Sequence, residues 1–217
     1  GNSVGRHQVR FINREGCLML ALPPASQPAP RRQVFVGTAV AGAAGLMLVG
    51  GMMATWLKFR ADAPVRESMK RGFIKDWMPE KIVVPEVAAN IMLLGLLVVC
   101  VMAQWAVYAA KRRDGQHRSL ALVILFGIGI AIVNAQVAIY AQMEVVVAEG
   151  AFGAMFYAIT GTMLALIVSG MAFTAVAFFR SVGGRDDDLQ VISANALYWY
   201  FLTAAFTAVW FFVYVQK

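Results

Sequence analysis

Residues 85–115 read PEVAANIMLLGLLVVCVMAQWAVYAAKRRDG. A proline and an acid open the stretch, and an uncharged block runs from 87 to 110. Three basic residues, an aspartate and a glycine then close it. A helix needs roughly 20 apolar residues to cross ~30 Å of hydrocarbon, and this block is long enough. The bilayer core offers the backbone no water, so such a run must close its hydrogen bonds internally, as a helix does. The basic cluster after it has the character of a stop at a membrane surface.

The rest of the chain repeats this design. Residues 33–57, 119–143, 150–179 and 189–216 are also free of Asp, Glu, Lys and Arg. None alternates polar and apolar residues as the strands of a membrane barrel do. The expected fold is all-α: a polytopic membrane bundle of five transmembrane helices, at about 35–57, 86–110, 119–143, 151–179 and 192–215. The composition agrees. Of the 217 residues, 60% are apolar and 14% charged, against about 45–50% and 25% in soluble domains. A disordered chain, a coiled coil and an ordinary cytosolic enzyme are excluded.

Between the blocks lie one long connection and three short ones. Residues 58–85 read as a charged loop with Pro64, Pro79 and Pro85, and with Trp77 and Met78 as an interfacial patch. KRRDGQHR, 111–118, reads as a compact basic loop. EVVVAE, 144–149, is acidic. RSVGGRDDD, 180–188, ends in Asp186 to Asp188, which read as a solvated turn before a helix rather than a metal cluster, since three consecutive residues do not converge on one ion. Residues 1–32 carry Pro23, Pro24, Pro28 and Pro30 and read as a flexible N-terminal tail ahead of a membrane domain at 33–217. Their apolar piece, CLMLAL, is too short for the core of a signal peptide, and Met19 offers a candidate native start.

The net charge of +7 is spread between apolar blocks, so it speaks for membrane orientation and not for nucleic acid. The tail, 111–118 and 180–188 carry 11 basic residues, and the opposite side carries 8. This predicts the N-terminus inside and the C-terminus outside.

The expected spans hold no ionisable side chain except tyrosine, Cys100 aside, whereas proton relays and ion-coupled carriers depend on buried charged residues. His7 and His117 fall outside the blocks. Cys17 and Cys100 cannot build a multi-thiolate site. Met47, Met52 and Met53 read as soft packing rather than copper ligands. No catalytic, cofactor-binding or metal-binding residue is expected. The blocks are instead rich in helix-packing residues. Small ones are Gly37, Ala41, Gly45, Gly50 and Gly51, then Gly127 and Gly129, then Gly153, Gly161 and Gly170. Asn90, Gln104, Asn134, Gln136, Gln142, Thr160, Thr162 and Asn195 read as polar glue between helices. Tyr198, Trp199, Tyr200, Phe201, Phe206, Trp210, Phe211, Phe212 and Tyr214 crowd the last block, and its central aromatics read as a lipid-facing or partner-facing wall.

In this order the motifs resemble subunit III of the haem-copper respiratory oxidases, in the shorter bacterial form with five spans. Trp56 and Arg60 stand at the family's Y-x-x-x-R exit from the first span. Residues 85–115 are similar to its proline-asparagine entry, with Asn90, and to its basic-Gly turn. Gly127 through Gln136 to Tyr140 resembles its G…Q-x-x-x-Y helix. FGAMFYAITG, 152–161, with Tyr157 and Gly161, resembles its opening of the next span. ALYWYFLTAAFTAVWFFVYV, 196–215, with Tyr198, Trp199, Tyr200 and Trp210, resembles its closing helix. There are departures. The place of the family's buried carboxylate is Gly45. Its G-x-H-x-x-H pair falls on Met163 and Leu166. Tyr200 replaces the His of Tyr-Trp-His-Phe, and Ile139 replaces the Glu before the tyrosine.

The resemblance implies a non-catalytic accessory subunit of an oxidase in aerobic respiration, in the bacterial plasma membrane. It implies bound phospholipid, a partner in the catalytic subunit I and other oxidase subunits, and haem and copper held in those partner chains. Gly45, Trp56, Arg60, Asn90, Gln136, Tyr140, Tyr157, Gly161, Tyr198, Trp199, Tyr200 and Trp210 become candidate packing, lipid-facing or partner-facing residues. The alternatives are the accessory subunit of a nitric oxide reductase and a homo-oligomeric channel or transporter.

Overall fold

The computed structural model describes residues 32–68, 72–75, 77, 85–143, 150–183 and 189–216. The expected tail at 1–32, save Arg32, and the loops at 144–149 and 184–188 lie outside them. Five helices are long and apolar enough to cross a membrane. They are α1 (Gln33–Asp62), α2 (Glu86–Lys111), α3 (Gly115–Met143), α4 (Ala151–Val182) and α5 (Leu189–Val209). A π-helical segment, Trp210–Val215, extends α5.

The first four helices outrun their uncharged blocks. At 1.5 Å per residue, the 30 residues of α1 span about 45 Å. Lys58, Arg60 and Asp62 therefore ride its last turns beyond the hydrocarbon. The helix stops because Pro64 disfavours the helical region for the residue before it, and Ala63 turns to φ −62°, ψ 137°. The connection that follows is more ordered than a loop. Val65–Ser68 (β1) and Gly72–Lys75 (β2) pair antiparallel, with Val65 opposite Lys75 and Ser68 opposite Gly72. Trp77 is no surface patch: it is buried, with its ring centroid 5.0 Å from that of Trp56 and 5.8 Å from that of Phe152.

The α2–α3 connection is a tight cap. Arg113 adopts φ +58°, which places it in the left-handed position that usually closes a helix. Its N–H donates to the Ala110 carbonyl at 3.1 Å, and the Asp114 N–H donates to the Ala109 carbonyl at 3.0 Å. Gly115 is not the turn residue; it opens α3. Asp114 caps that helix, its Oδ1 accepting the His117 N–H at 3.1 Å.

α5 is the hub. It packs against α1, α2 and α4, while α3 closes the bundle against α2 and α4. The expectation of an aromatic wall on α5 is corrected for Trp199 and Phe206. Trp199 and Phe206 are buried in the bundle, whereas Tyr200 and Phe211 lie on the surface. α1 is the least enclosed helix, and Met47 on it is 80% exposed.

Candidate functional site

No hydrophobic effect drives helices together inside lipid, so close packing and hydrogen bonds must do it. Several neutral polar groups of α5 and of the segment that follows it are used in this way on neighbouring helices. Toward α4, Trp199 Nε1 donates to Thr174 Oγ1 at 3.0 Å, and the Thr174 hydroxyl lies 3.0 Å from Asn195 Oδ1. Tyr198 donates to the Leu166 carbonyl at 2.9 Å. Toward α2, Tyr200 donates to Gln104 Oε1 at 2.8 Å, and Trp210 Nε1 donates to Asn90 Oδ1 at 2.8 Å. The Thr203 hydroxyl sits 3.1 Å from Cys100 Sγ. Toward α1, Arg60 donates to the Gln216 carbonyl.

A second set gathers where the chain's C-terminus ends. Trp56, Trp77, Phe152, Phe156, Tyr140, Tyr157 and Tyr214 make one chain of ring contacts, with centroids 5.0–6.3 Å apart along it. Tyr140 donates to Thr160 Oγ1 at 2.8 Å. Gln136 is buried beside Tyr140 and Tyr214.

The candidate glycines fall outside both sets. A Cβ at Gly161 or Gly45 would meet nothing within 4 Å, and the same holds for Gly37, Gly50 and Gly51. The close approaches are made at Gly129 and Gly170, both expected as packing residues, and at Gly42, which was not. A Cβ at Gly42 would lie 2.3 Å from Phe201, one at Gly129 would lie 2.9 Å from Met171, and one at Gly170 would lie 2.9 Å from Tyr198. Gly45, at the place the resemblance assigns to a carboxylate, borders an apolar crevice of about 20 Å³ with Leu46, Leu166, Tyr198, Phe201 and Leu202. The only side-chain polar group there, the Tyr198 hydroxyl, is committed to the Leu166 backbone. Nothing in the crevice would hold a charge.

One functional group went unread in the sequence. Arg118, assigned to a basic loop, is 2% exposed. It sits on the first turn of α3, and its Nε donates to Ser181 Oγ at 2.5 Å and its Nη2 to the Ser181 carbonyl at 3.4 Å. It thus meets the C-terminal end of α4, where the helix dipole favours a cation. Among the described residues, no three of His, Cys, Asp and Glu come together to hold a metal ion. Thr174, Thr203 and Tyr214 were also not singled out for this role. A threonine within an apolar block is the one sequence signal that pointed to the first two.

The model of the family described as cytochrome c oxidase subunit III matches residues 75–217. Relatives include cytochrome c oxidase subunit 3 of Tragelaphus imberbis, 29% identical over 123 residues, which is 56% of this chain and 46% of the relative. The subunits from Bos taurus and Bos mutus grunniens are each 28% identical over the same shares. The chain spans about half the length of the curated relatives it matches.

Proposed function

We propose that this chain, which belongs to the cytochrome c oxidase subunit III family, is the non-catalytic accessory subunit of a haem-copper terminal oxidase in aerobic respiration. It is a multi-pass membrane protein. Its work in this reading is to brace the catalytic subunit and to hold phospholipid between helices, and the haems and copper belong to the partner chains. Its place is the bacterial plasma membrane, N-terminus inside and C-terminus outside.

The observation that carries the reading is the use to which α5 puts its polar groups. Tyr198, Trp199, Tyr200, Thr203 and Trp210 are each bonded to another helix or to a residue on one. They are fasteners, which suits a scaffold, since a catalyst needs groups free to meet a substrate.

Purification from native membrane in mild detergent tests it. Co-purification with a haem- and copper-bearing complex that reduces oxygen is the expected result. Recovery with a nitric-oxide-reducing complex would move the chain to that partner, and recovery alone would end the reading. Thiol labelling of a single cysteine introduced at Gln116 should come only from the inner face.

A further inference from the structure

The α2–α3 turn carries three cations that the fold does not neutralise. Lys111, Arg112 and Arg113 are exposed. Among the described residues, none of the three is ion-paired. The acid of the turn, Asp114, is turned to His117, which its two oxygens meet at 3.1 and 2.6 Å. Arg118 is buried on Ser181 and belongs to the bundle. The exposed charge is also held in place. The Arg112 guanidinium lies 4.4 Å from the centroid of the Tyr108 ring, and Tyr108 is itself half exposed. Such stacking fixes a guanidinium without using its N–H donors.

The cations stand at the end of an apolar stripe. Leu97, Val98, Val101 and Tyr108 are exposed on α2, and steps of three, four and seven residues put them on one helix face. Gln104, within the stripe, has its side-chain oxygen engaged by Tyr200. Lys111 and Arg112 follow Tyr108 by three and four residues and continue the same face. The stripe from Leu97 to Tyr108 runs about 16 Å at 1.5 Å per residue. That is close to the depth of one leaflet in a hydrocarbon core of ~30 Å.

An apolar strip one leaflet long, topped by unpaired cations, has the profile of a phospholipid. A chain fits the stripe and a phosphate fits the rim. Arginine offers paired N–H donors to phosphate oxygens, and each basic side chain at the surface adds attraction for negative lipid. A zwitterionic headgroup brings its own cation, which the patch repels; an anionic headgroup does not. An acidic protein segment fits less well. Burying three cations against protein requires a matched acid for each, whereas a headgroup meets them at the water's edge.

We infer that the α2–α3 turn binds the headgroup of an anionic phospholipid through Lys111, Arg112 and Arg113, with an acyl chain laid along α2 from Tyr108 to Leu97. The inference needs only that the chain spans a membrane. It concerns the exterior face of α2 and not the phospholipid proposed between helices, and it stands whichever enzyme the chain serves.

Native mass spectrometry tests it on the protein purified with the subunits it carries, equilibrated in mixed micelles of phosphatidylglycerol and phosphatidylcholine. The variant with Lys111→Gln, Arg112→Gln and Arg113→Gln should retain one phosphatidylglycerol fewer, with phosphatidylcholine retention and melting temperature unchanged. Arg112→Gln alone should lower the preference for phosphatidylglycerol by about two- to fivefold. Lys58→Gln, which removes an exposed cation from the end of α1, should change nothing. Unaltered phosphatidylglycerol retention in the triple variant would overturn the inference. So would an equal loss in Lys58→Gln, which would show general attraction and no site. Displacement of the lipid by inorganic phosphate alone would assign the patch to the free ion. Loss of a subunit from the triple variant, with lipid retention intact, would assign it to an acidic protein partner.

Discussion

Trp199 Nε1 donates to Thr174 Oγ1 at 3.0 Å, and neither side chain has measurable exposure. Thr174 also lies 3.0 Å from Asn195 Oδ1 and 2.9 Å from the Gly170 carbonyl. A single hydroxyl thus serves three groups at the α4–α5 contact. It can accept the indole proton while giving its own to one of the two oxygens.

Thr174→Val keeps the shape and removes the hydroxyl. It leaves the Trp199 N–H without its acceptor, so a loss of about 1–2 kcal/mol is expected. Thr174→Ser should lose much less. Thermal unfolding in detergent separates the two. Equal stability of the valine and serine variants would show that the hydroxyl contributes nothing.

Two glycines three residues apart on α1 should behave oppositely. A methyl at Gly42 would stand 2.3 Å from Phe201 Cδ2 and 2.7 Å from Cγ, so the ring must move. Gly42→Ala is expected to cost about 1–3 kcal/mol through overpacking. At Gly45 nothing lies within 4 Å, and alanine should be neutral or gain up to about 1 kcal/mol from helix propensity. The same unfolding assay checks the pair, and a loss at Gly45 as large as that at Gly42 would contradict the packing described.

These residues show what the sequence disclosed and what it did not. The five spans were legible because a bilayer rejects charge along a whole helix, and a gap in charge is visible in one dimension. Helix ends were less so: Lys58, Arg60 and Asp62 continue α1 past the membrane, and Pro64, not charge, stops it. Faces were least legible. Small residues at 37, 41 and 45 mark one stripe of α1, yet the helix meets Phe201 through Gly42, because the neighbour's side chain decides the face. Burial of Arg118 depends on Ser181, 63 residues away, a relation no local pattern carries. The resemblance located Trp199 and Tyr140, but its motifs did not reveal Thr174, the group that Trp199 needs.

Tyr200 tests the scaffold reading on activity. Its hydroxyl donates to Gln104 Oε1 at 2.8 Å on the bundle's exposed surface. Tyr200→Phe should weaken the α2–α5 contact by about 0.6–1.7 kcal/mol and leave the oxygen-reduction rate of the purified complex unchanged. A several-fold fall in rate, with the complex intact, would give Tyr200 a part in turnover.

Arg118 predicts a larger structural effect. Its guanidinium is buried on Ser181 at the end of α4. Arg118→Ala removes a charge-assisted bond and leaves Ser181 exposed to a gap, for an expected loss of about 2–3 kcal/mol. Arg118→Lys keeps the charge without the planar fork and should recover only part of it. Ser181→Ala should cost less than Arg118→Ala, since the Ser181 carbonyl remains as an acceptor. Unfolding in mixed detergent provides the comparison, and indifference to Arg118→Ala would show that the buried contact is not stabilising.

Asp114 predicts an acid response at the neighbouring turn. Its carboxylate accepts the His117 N–H at 3.1 Å and lies 2.6 Å from His117 Nδ1. The backbone bond from His117, followed by the bond to its ring, holds the Asp114 carboxyl below its usual 3.8. A depressed folded value means that the stabilisation is fully present above 3.8 and is lost as pH falls through the lower, folded value. The first turn of α3 should therefore stay closed from neutral pH to about 4 and open only under stronger acid. Amide hydrogen exchange at Gln116 and His117, expressed as protection against intrinsic rates, reads this out. Asp114→Ala should reduce protection throughout, having lost the cap. Asp114→Asn keeps an oxygen that caps the helix but cannot titrate, so protection should persist while its acid dependence disappears. If Asp114→Asn retained the full acid response, the titrating group would lie elsewhere in the turn.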